Sequence, residues 1–219
     1  MSAAASLPLG LAAAGVGYVI GGLPFGLLIG RFFAKVDLRE HGSGRTGATN
    51  ALRTLGPAAA AAVLVLDLLK GVVAVALARL LLAGAGDEVA EWAAAAAGAA
   101  AVLGHVYSPF IGFRGGRGVA TTTGGLLALV PWSVLVLTPI VLLVAWRTRF
   151  MSLASLIGAA LAPVIVAGLT AIGRAELADV GYAVAAGAII FLAHRDNITR
   201  LRAGSERRIG ERAETVAEG

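Results

Sequence analysis

The chain has 219 residues, of which 58% are hydrophobic and 14% charged, and its formal net charge is +5. A soluble domain carries roughly 25% charged residues, so this composition excludes an ordinary soluble protein and predicts one embedded in a lipid bilayer. Because cysteine is absent, disulfides and thiolate metal sites are excluded. In a membrane protein, the positive net charge indicates loops on the cytoplasmic side rather than a nucleic-acid partner.

Apolar stretches long enough for helices recur along the chain, and a transmembrane helix needs about 20 mostly apolar residues. In the first stretch, glycines at about four-residue steps from Gly17 to Gly30 predict close packing against another helix, and Pro24 predicts a kink. The pattern predicts an all-α integral membrane protein with about seven transmembrane helices. These cover residues 7–33, 57–83, 91–107, 119–130 (a short one, closed by Pro131), 132–146, 151–172 and 177–193.

Three polar stretches separate these helices, at residues 41–50, 105–123 and 194–206, and each contains one of the three histidines. Of the 18 Lys and Arg residues, all but Lys70, Arg79 and Arg174 lie on the membrane side that carries these stretches. The positive-inside rule therefore predicts that the stretches and the C-terminus face the cytoplasm and that the N-terminus lies outside. We expect residues 1–206 to form one transmembrane domain and residues 207–219 a charged, frayed tail.

The first polar stretch contains Gly-Ser-Gly-Arg-Thr-Gly at 42–47, which matches the letters of a dinucleotide-binding fingerprint. That fingerprint needs a preceding strand in a βαβ unit, whereas a membrane helix precedes this one, so we reject it. A glycine-rich turn can still form a nest of backbone N–H groups for an anion, with Ser43 and Thr46 as hydroxyl donors and Arg45 and Arg53 as cations. The alternative is a flexible loop with ordinary cytoplasmic arginines.

The second polar stretch repeats this design around Arg114 and Arg117. Glycines flank both arginines, and a predicted helix begins directly after Gly118, where free N–H groups favour an anion. Two anion sites on one membrane face suggest two phosphate groups. The alternative for Gly115, Gly116 and Gly118 is a plain turn.

In the third polar stretch, His194, Asn197 and Arg200 stand three residues apart, which predicts that they share one helix face. Because two other polar loops lie on the same membrane side, we interpret these three residues as functional rather than as anchors at the membrane boundary. By contrast, Asp67 and Lys70 in the second helix predict a structural ion pair. No histidine has a metal-ligand partner at suitable spacing or an aspartate five residues further on, the H-x-x-x-x-D pattern of acyltransferases that commonly use acyl-CoA.

Taken together and in this order, the motifs closely resemble the bacterial acyl-phosphate:glycerol-3-phosphate acyltransferases, the PlsY family. The resemblance implies transfer of a fatty acyl group from acyl phosphate to the sn-1 hydroxyl of glycerol 3-phosphate, at the cytoplasmic face of the bacterial plasma membrane, without metal or cofactor. It covers nearly the whole chain and is carried by DLR at 37–39, GSG at 42–44, GATN at 47–50, Arg53, Gly56, DLLKG at 67–71, LGH at 103–105, GFRGGRGVAT at 112–121, SLAS at 152–155 and HRDNITRL at 194–201.

The resemblance also assigns roles to individual positions. Two positions depart from the family pattern, because Arg45 stands where Asn is usual and Arg117 where Lys is usual; both keep or add positive charge, but Arg is planar and bulkier. The family implies Ser43, His194 and Asn197 as catalytic residues and Arg45, Thr49, Asn50, Arg53, Gly115, Gly116, Arg117, Gly118 and Ser152 as substrate-binding residues.

One alternative function stays open from the residues themselves. A membrane transporter or binding protein for an organic phosphate would also need cations on one membrane side. Transporters usually show paired internal repeats and site residues at the bilayer midplane, and no clear repeat is visible in this chain.

Overall fold

The computed structural model describes residues 3–211, and every regular element within that range is helical. This confirms the all-α prediction for the described residues. The α-helices are α1 (Ala3–Gly22), α2 (Phe25–Ile29), α3 (Ala48–Leu55), α4 (Pro57–Leu81), α5 (Asp87–Val106), α6 (Val119–Leu129), α7 (Pro131–Thr148), α8 (Met151–Ala171), α9 (Leu177–Ala193) and α10 (Arg195–Arg202). A π-helical turn (Gly30–Ala34) and two 3₁₀ turns (Leu38–Glu40 and Pro109–Ile111) complete the set.

Each of the seven predicted apolar segments contains a helix, but they differ in their ability to cross a bilayer. Five are long and apolar enough: Ser6–Ala34, Pro57–Leu81, Asp87–Ile111, Pro131–Thr148 and Met151–Ala171. The pair α9 and α10, bent by 61°, makes a sixth if it is counted as one span. Helix α6 has 11 residues and is therefore about 16 Å long, against a hydrocarbon core of about 30 Å. By length and composition the described residues thus contain five or six spans.

The first predicted helix is interrupted where the sequence placed a kink. Helix α1 ends at Gly22, and α2 starts after Pro24, whose ring fixes its own backbone and removes one donor. At the break, the carbonyl of Leu23 accepts a hydrogen bond from the backbone N–H of Phe25 at 3.1 Å and another from Lys70 Nζ at 3.0 Å. The break therefore joins the first span to α4.

Glycines bring the central helices into backbone contact. A Cβ on Gly17 or Gly21 of α1 would collide with the backbone of Ala97 or Ala101 on α5. The predicted close approach of another helix is thus confirmed, and α5 is the partner. Gly71 of α4 packs in the same way on the carbonyl of Thr121, so α6 is held against α4.

A buried apolar cluster lies between α5, α6, α8 and α9. It includes Val102, Leu126, Val166 and Tyr182, all nearly inaccessible, and the Tyr182 hydroxyl donates to the carbonyl of Thr122 at 3.0 Å. Large apolar side chains also point outward, for example Leu135 at 65% exposure, as expected where lipid replaces water. This packing supports the loop before α6 and the α9–α10 corner, where the predicted site residues stand.

The predicted tail begins at residue 207, and its described part contacts the turn between α7 and α8. The backbone N–H of Ile209 donates to the carbonyl of Arg149 at 2.7 Å, and the Arg149 guanidinium donates back to the Ile209 carbonyl. The Arg208 guanidinium also lies 5.3 Å from the centroid of the Phe150 ring. Arg208 and Ile209 therefore contact the α7–α8 turn, and residues 212–219 lie outside the described range.

Candidate active site

A cavity of about 470 Å³ lies where the three polar stretches meet. Its wall combines cationic and hydroxyl groups with apolar side chains of α4, including Leu64 and Leu68. The structure thus brings together residues as distant in the sequence as Ser43 and Arg207. Ten of the twelve predicted site residues line it: Ser43, Arg45, Thr49, Asn50, Arg53, Arg117, Gly118, Ser152, His194 and Asn197.

The first polar stretch is a tight loop closed by Asn50. The Asn50 side-chain amide donates to the carbonyls of Leu38, His41 and Arg45 at 2.9–3.0 Å, and its oxygen accepts from the backbone N–H of Ser43 at 3.0 Å. Its polar atoms are thereby committed to the loop itself. Asn50 therefore positions Ser43 at the cavity wall.

The second polar stretch is attached to the end of α5. Gly115 and Gly116 donate their N–H groups to the carbonyls of Val106 and His105 at 3.0 and 3.1 Å. A Cβ at either glycine would collide with His105, so these two predicted site residues pack under the cavity wall rather than line it. Gly118 has φ +81°, in the left-handed region that favours glycine, and starts α6 as predicted.

Arg117 follows these glycines and reaches across to the third polar stretch. Its guanidinium donates to the carbonyl of Ala193 at 2.8 Å. Burial, together with the nearby charge of Arg45, lowers the pKa of Arg117 to about 10, which still leaves it charged at neutral pH. The chain thus keeps a buried cation beside His194.

Asp196 connects Arg117 with the first polar stretch. Its carboxylate lies 3.4 Å from the Arg45 guanidinium and 3.8 Å from that of Arg117. Asp196 is half exposed, so these pairs contribute little to stability but fix the geometry of two arginines from different loops. Arg45 and Arg117, the two departures from the family pattern, therefore belong to one charge cluster.

His194 is almost fully buried at the corner between α9 and α10. Its Nδ1 lies 2.8 Å from the carbonyl of Ile190, and a carbonyl can only accept, so Nδ1 carries the proton and Nε2 has a free lone pair. Burial, and then the charge of Arg117, lowers the pKa of His194 from 6.5 to about 4. At neutral pH the imidazole is therefore an uncharged hydrogen-bond acceptor on the cavity wall.

Glu206 is a site residue that sequence reasoning missed. Its carboxylate accepts hydrogen bonds from Ser152 Oγ at 2.9 Å and Asn197 Nδ2 at 2.6 Å, and it pairs with Arg200 at 2.9 Å. The only signal in the sequence was its place at the end of the third polar stretch, after Gly204. Glu206 thus holds the amide nitrogen of Asn197. The amide oxygen of Asn197 is buried and has no partner among the described residues.

Arg53 lies on α3 and faces the packed start of the tail. Its guanidinium reaches the carbonyls of Arg207 and Arg208 at 3.4 and 3.5 Å. Burial, followed by repulsion from Arg207, lowers the pKa of Arg53. These long contacts leave the Arg53 cation available to an anionic ligand in the cavity.

Chemically, the cavity offers five arginines, hydroxyl donors and the neutral imidazole of His194, next to an apolar wall. The arginines and hydroxyls suit phosphate oxygens. The imidazole suits an attacking hydroxyl. The apolar wall suits a hydrocarbon chain.

Comparison with known proteins identifies the relatives of this chain. The family profile described as "Glycerol-3-phosphate acyltransferase" matches residues 11–204. Glycerol-3-phosphate acyltransferase 3 of Dehalococcoides mccartyi is 42% identical over 204 residues, which is 90% of this chain and 94% of the relative. Glycerol-3-phosphate acyltransferase of Geobacter sulfurreducens is 46% identical over 193 residues, 88% of this chain and 94% of the relative.

Two solved structures share the fold. The glycerol 3-phosphate form of PlsY, an integral membrane glycerol 3-phosphate acyltransferase, superposes with a TM-score of 0.80 at 35% identity, covering 92% of this chain and 96% of that one. Its lysophosphatidic acid form superposes with a TM-score of 0.77 at 33% identity, covering 92% and 95%.

Proposed function

The chain belongs to the glycerol-3-phosphate acyltransferase family, and from this premise we propose that it transfers a fatty acyl group from acyl phosphate to the sn-1 hydroxyl of glycerol 3-phosphate. The products are lysophosphatidic acid and inorganic phosphate. The observation that carries the proposal is one cavity that joins two arginine-bearing loops, His194 and an apolar wall. The solved PlsY forms with glycerol 3-phosphate and lysophosphatidic acid support the same acceptor and product. Family membership does not favour the transporter alternative.

The reaction needs one bond to form and one to break. The sn-1 oxygen attacks the acyl carbonyl carbon, the bond from that carbon to the phosphate oxygen breaks, and phosphate leaves with its electron pair. The hydroxyl proton passes to His194 Nε2, whose lone pair is free, or to a substrate phosphate, whose second pKa lies near 6. Acyl phosphate is already activated, so the protein mainly positions the substrates and stabilises charge.

The cavity residues divide these tasks. Arg45, Arg53 and Arg117 neutralise phosphate charge, and the hydroxyl of Ser43 donates a hydrogen bond to a phosphate oxygen. Ser152 donates to Glu206 and so holds that carboxylate at the cavity wall. His194 accepts a hydrogen bond from the attacking hydroxyl, and the unpartnered oxygen of Asn197 is a second acceptor for the polyol. Thr49 and Gly118 complete the wall, while Asn50, Gly115 and Gly116 hold the loops. The acyl chain lies along Leu64 and Leu68.

The acyl donor is tested by comparing two activated forms of the same acid. The absent H-x-x-x-x-D pattern and the two phosphate-type loops predict that purified protein forms lysophosphatidic acid from palmitoyl phosphate and far less from palmitoyl-CoA. The measurement is kcat/KM for each donor at saturating glycerol 3-phosphate. Comparable values for both donors would contradict the acyl-phosphate assignment while leaving the acyltransferase activity intact.

The proposal also places the cavity on the cytoplasmic side of the bacterial plasma membrane, with α6 counted as a seventh, short span. Because the native chain contains no cysteine, single-cysteine variants report topology directly. We expect Ser205→Cys to resist a membrane-impermeant thiol reagent in intact cells and Asp87→Cys to be labelled. Both positions are exposed, so access through the protein does not limit either reaction. Equal labelling at the two positions would overturn this topology.

A further inference from the structure

A buried cluster of three ionisable side chains lies at the cavity and has no role in the scheme above. Asp67 and Lys70 come from α4 and His105 from the end of α5, and they are only 2%, 3% and 6% exposed. Asp67 and His105 also line the cavity. The predicted ion pair of Asp67 and Lys70 is confirmed at 2.8 Å, but the structure adds His105 to it.

The Lys70 ammonium fixes the protonation of His105. Its three N–H groups face three acceptors: Asp67 Oδ1 at 2.8 Å, His105 Nδ1 at 2.9 Å and the carbonyl of Leu23 at 3.0 Å. An ammonium donates and cannot accept, so His105 Nδ1 must be the acceptor. In the neutral ring the proton is therefore on Nε2, the tautomer opposite to that of His194.

The Nε2–H group of His105 is directed toward the second polar stretch. A Cβ on Gly116 would collide with Nε2, so the His105 ring fits at this position only because residue 116 has no side chain. Across residues 3–211, the contacts of His105 use Nδ1 and the backbone, so Nε2–H has no protein acceptor. His105 lines the cavity, so this free donor is available to an acceptor on a bound ligand.

We propose that His105 is a further substrate-contacting residue, whose Nε2–H donates a hydrogen bond to a phosphoryl oxygen held in the cavity beside Arg117. The proposal rests on the proposed function, which supplies two phosphoryl groups, one on each substrate. Asp67 and Lys70 then act as positioning residues that keep the ring neutral and its donor turned to the cavity. A neutral donor suits this place because a second buried cation would repel Arg117.

Two amide substitutions separate this role from a purely structural one. His105→Asn keeps an acceptor for Lys70 at the Nδ1 position and places nothing at Nε2, whereas His105→Gln places an amide nitrogen near Nε2. We expect His105→Asn to raise the KM of one substrate roughly 10- to 100-fold, the usual cost of a hydrogen bond to a charged group, with little change in thermal unfolding. We expect His105→Gln to stay closer to wild type.

Separate titrations identify the substrate whose phosphate contacts His105. In each titration, one of palmitoyl phosphate and glycerol 3-phosphate is varied while the other is held at a saturating concentration. Unchanged KM values for both substrates in a folded His105→Asn protein would overturn the proposal and leave the cluster a structural support. If the wild type itself forms no lysophosphatidic acid, the proposed function fails instead.

A spectroscopic measurement on the unmodified chain covers the case in which a variant does not fold. The protein contains three histidines, so ¹⁵N-histidine labelling gives few signals. A stable palmitoyl phosphonate, or glycerol 3-phosphate, is expected to shift the Nε2 resonance of His105. Binding of both probes without any shift of that resonance would refute the hydrogen bond independently of turnover.

Discussion

Replacing His194 by alanine is expected to remove nearly all acyl transfer, by roughly 10²- to 10⁴-fold in kcat, the usual contribution of a positioned acid–base group. The structure gives the reason: Nδ1–H is committed to Ile190, so the free Nε2 is the group that receives the attacking hydroxyl. Asn197→Ala is expected to lose a comparable share, because Asn197 lines the same wall. Arg195→Ala, on the exposed side of the corner, is the matched control and should stay near wild type.

Amide substitutions at the same position distinguish two mechanisms. If His194 only orients and polarises the hydroxyl while a substrate phosphate takes the proton, His194→Gln and His194→Asn should keep measurable turnover, because an amide can accept a hydrogen bond but is not a base at neutral pH. Amide variants as inactive as alanine, yet folded and still binding glycerol 3-phosphate, would make His194 the base.

The pH dependence of kcat in the wild type gives a second reading of the same question. A base must be deprotonated to act, so activity is lost as pH falls through its pKa. A phosphate monoester has its second pKa near 6, whereas burial lowers the pKa of His194 to about 4. Loss of activity through about pH 6 therefore indicates the substrate phosphate, and activity that persists to about pH 5 indicates the imidazole.

Arg117→Ala is expected to lose most of the activity, by roughly 10²- to 10³-fold in kcat/KM, comparable to the loss of one preorganised donor at a developing charge. The change removes a buried cation and also the hydrogen bond to the Ala193 carbonyl, next to His194. Arg117→Lys keeps the charge and should retain much of the activity, with some loss because an ammonium cannot reproduce the planar fork.

Arg114 provides a matched control for this experiment, because it belongs to the same loop but is exposed and does not line the cavity. Arg114→Ala should therefore behave like wild type in both kinetic constants. If Arg117→Ala were as active as wild type, the phosphate-binding charge would have to come from another residue, and Arg45, which shares Asp196 with Arg117, would be the first candidate.

Much of the fold was predictable because its signals are local. Apolar runs and prolines determine where helices lie, and the predicted helix 177–193 coincides with α9. The asymmetry of Arg and Lys grouped the three polar stretches on one side, and the structure does bring them around one cavity. The short length of α6 and the interruption of the first helix at Pro24 were visible in the sequence for the same reason.

The remaining features depend on contacts between distant residues, which a single sequence does not display. Glu206 matters because it meets Ser152, 54 positions away, and no local pattern marks that encounter. The same holds for His105, whose tautomer is set by Lys70 on another helix. The resemblance grouped Gly115 and Gly116 with the substrate pocket, whereas the structure shows them packed on His105 beneath its wall.

The decisive measurement is release of inorganic phosphate from palmitoyl phosphate by the purified protein, with and without glycerol 3-phosphate. Acyl transfer predicts release that depends on glycerol 3-phosphate, with one lysophosphatidic acid formed for each phosphate released, and almost none with His194→Ala. Release that is independent of glycerol 3-phosphate would indicate a hydrolase. Absence of release from folded protein, combined with uptake of glycerol 3-phosphate into proteoliposomes, would contradict the enzyme assignment and indicate transport.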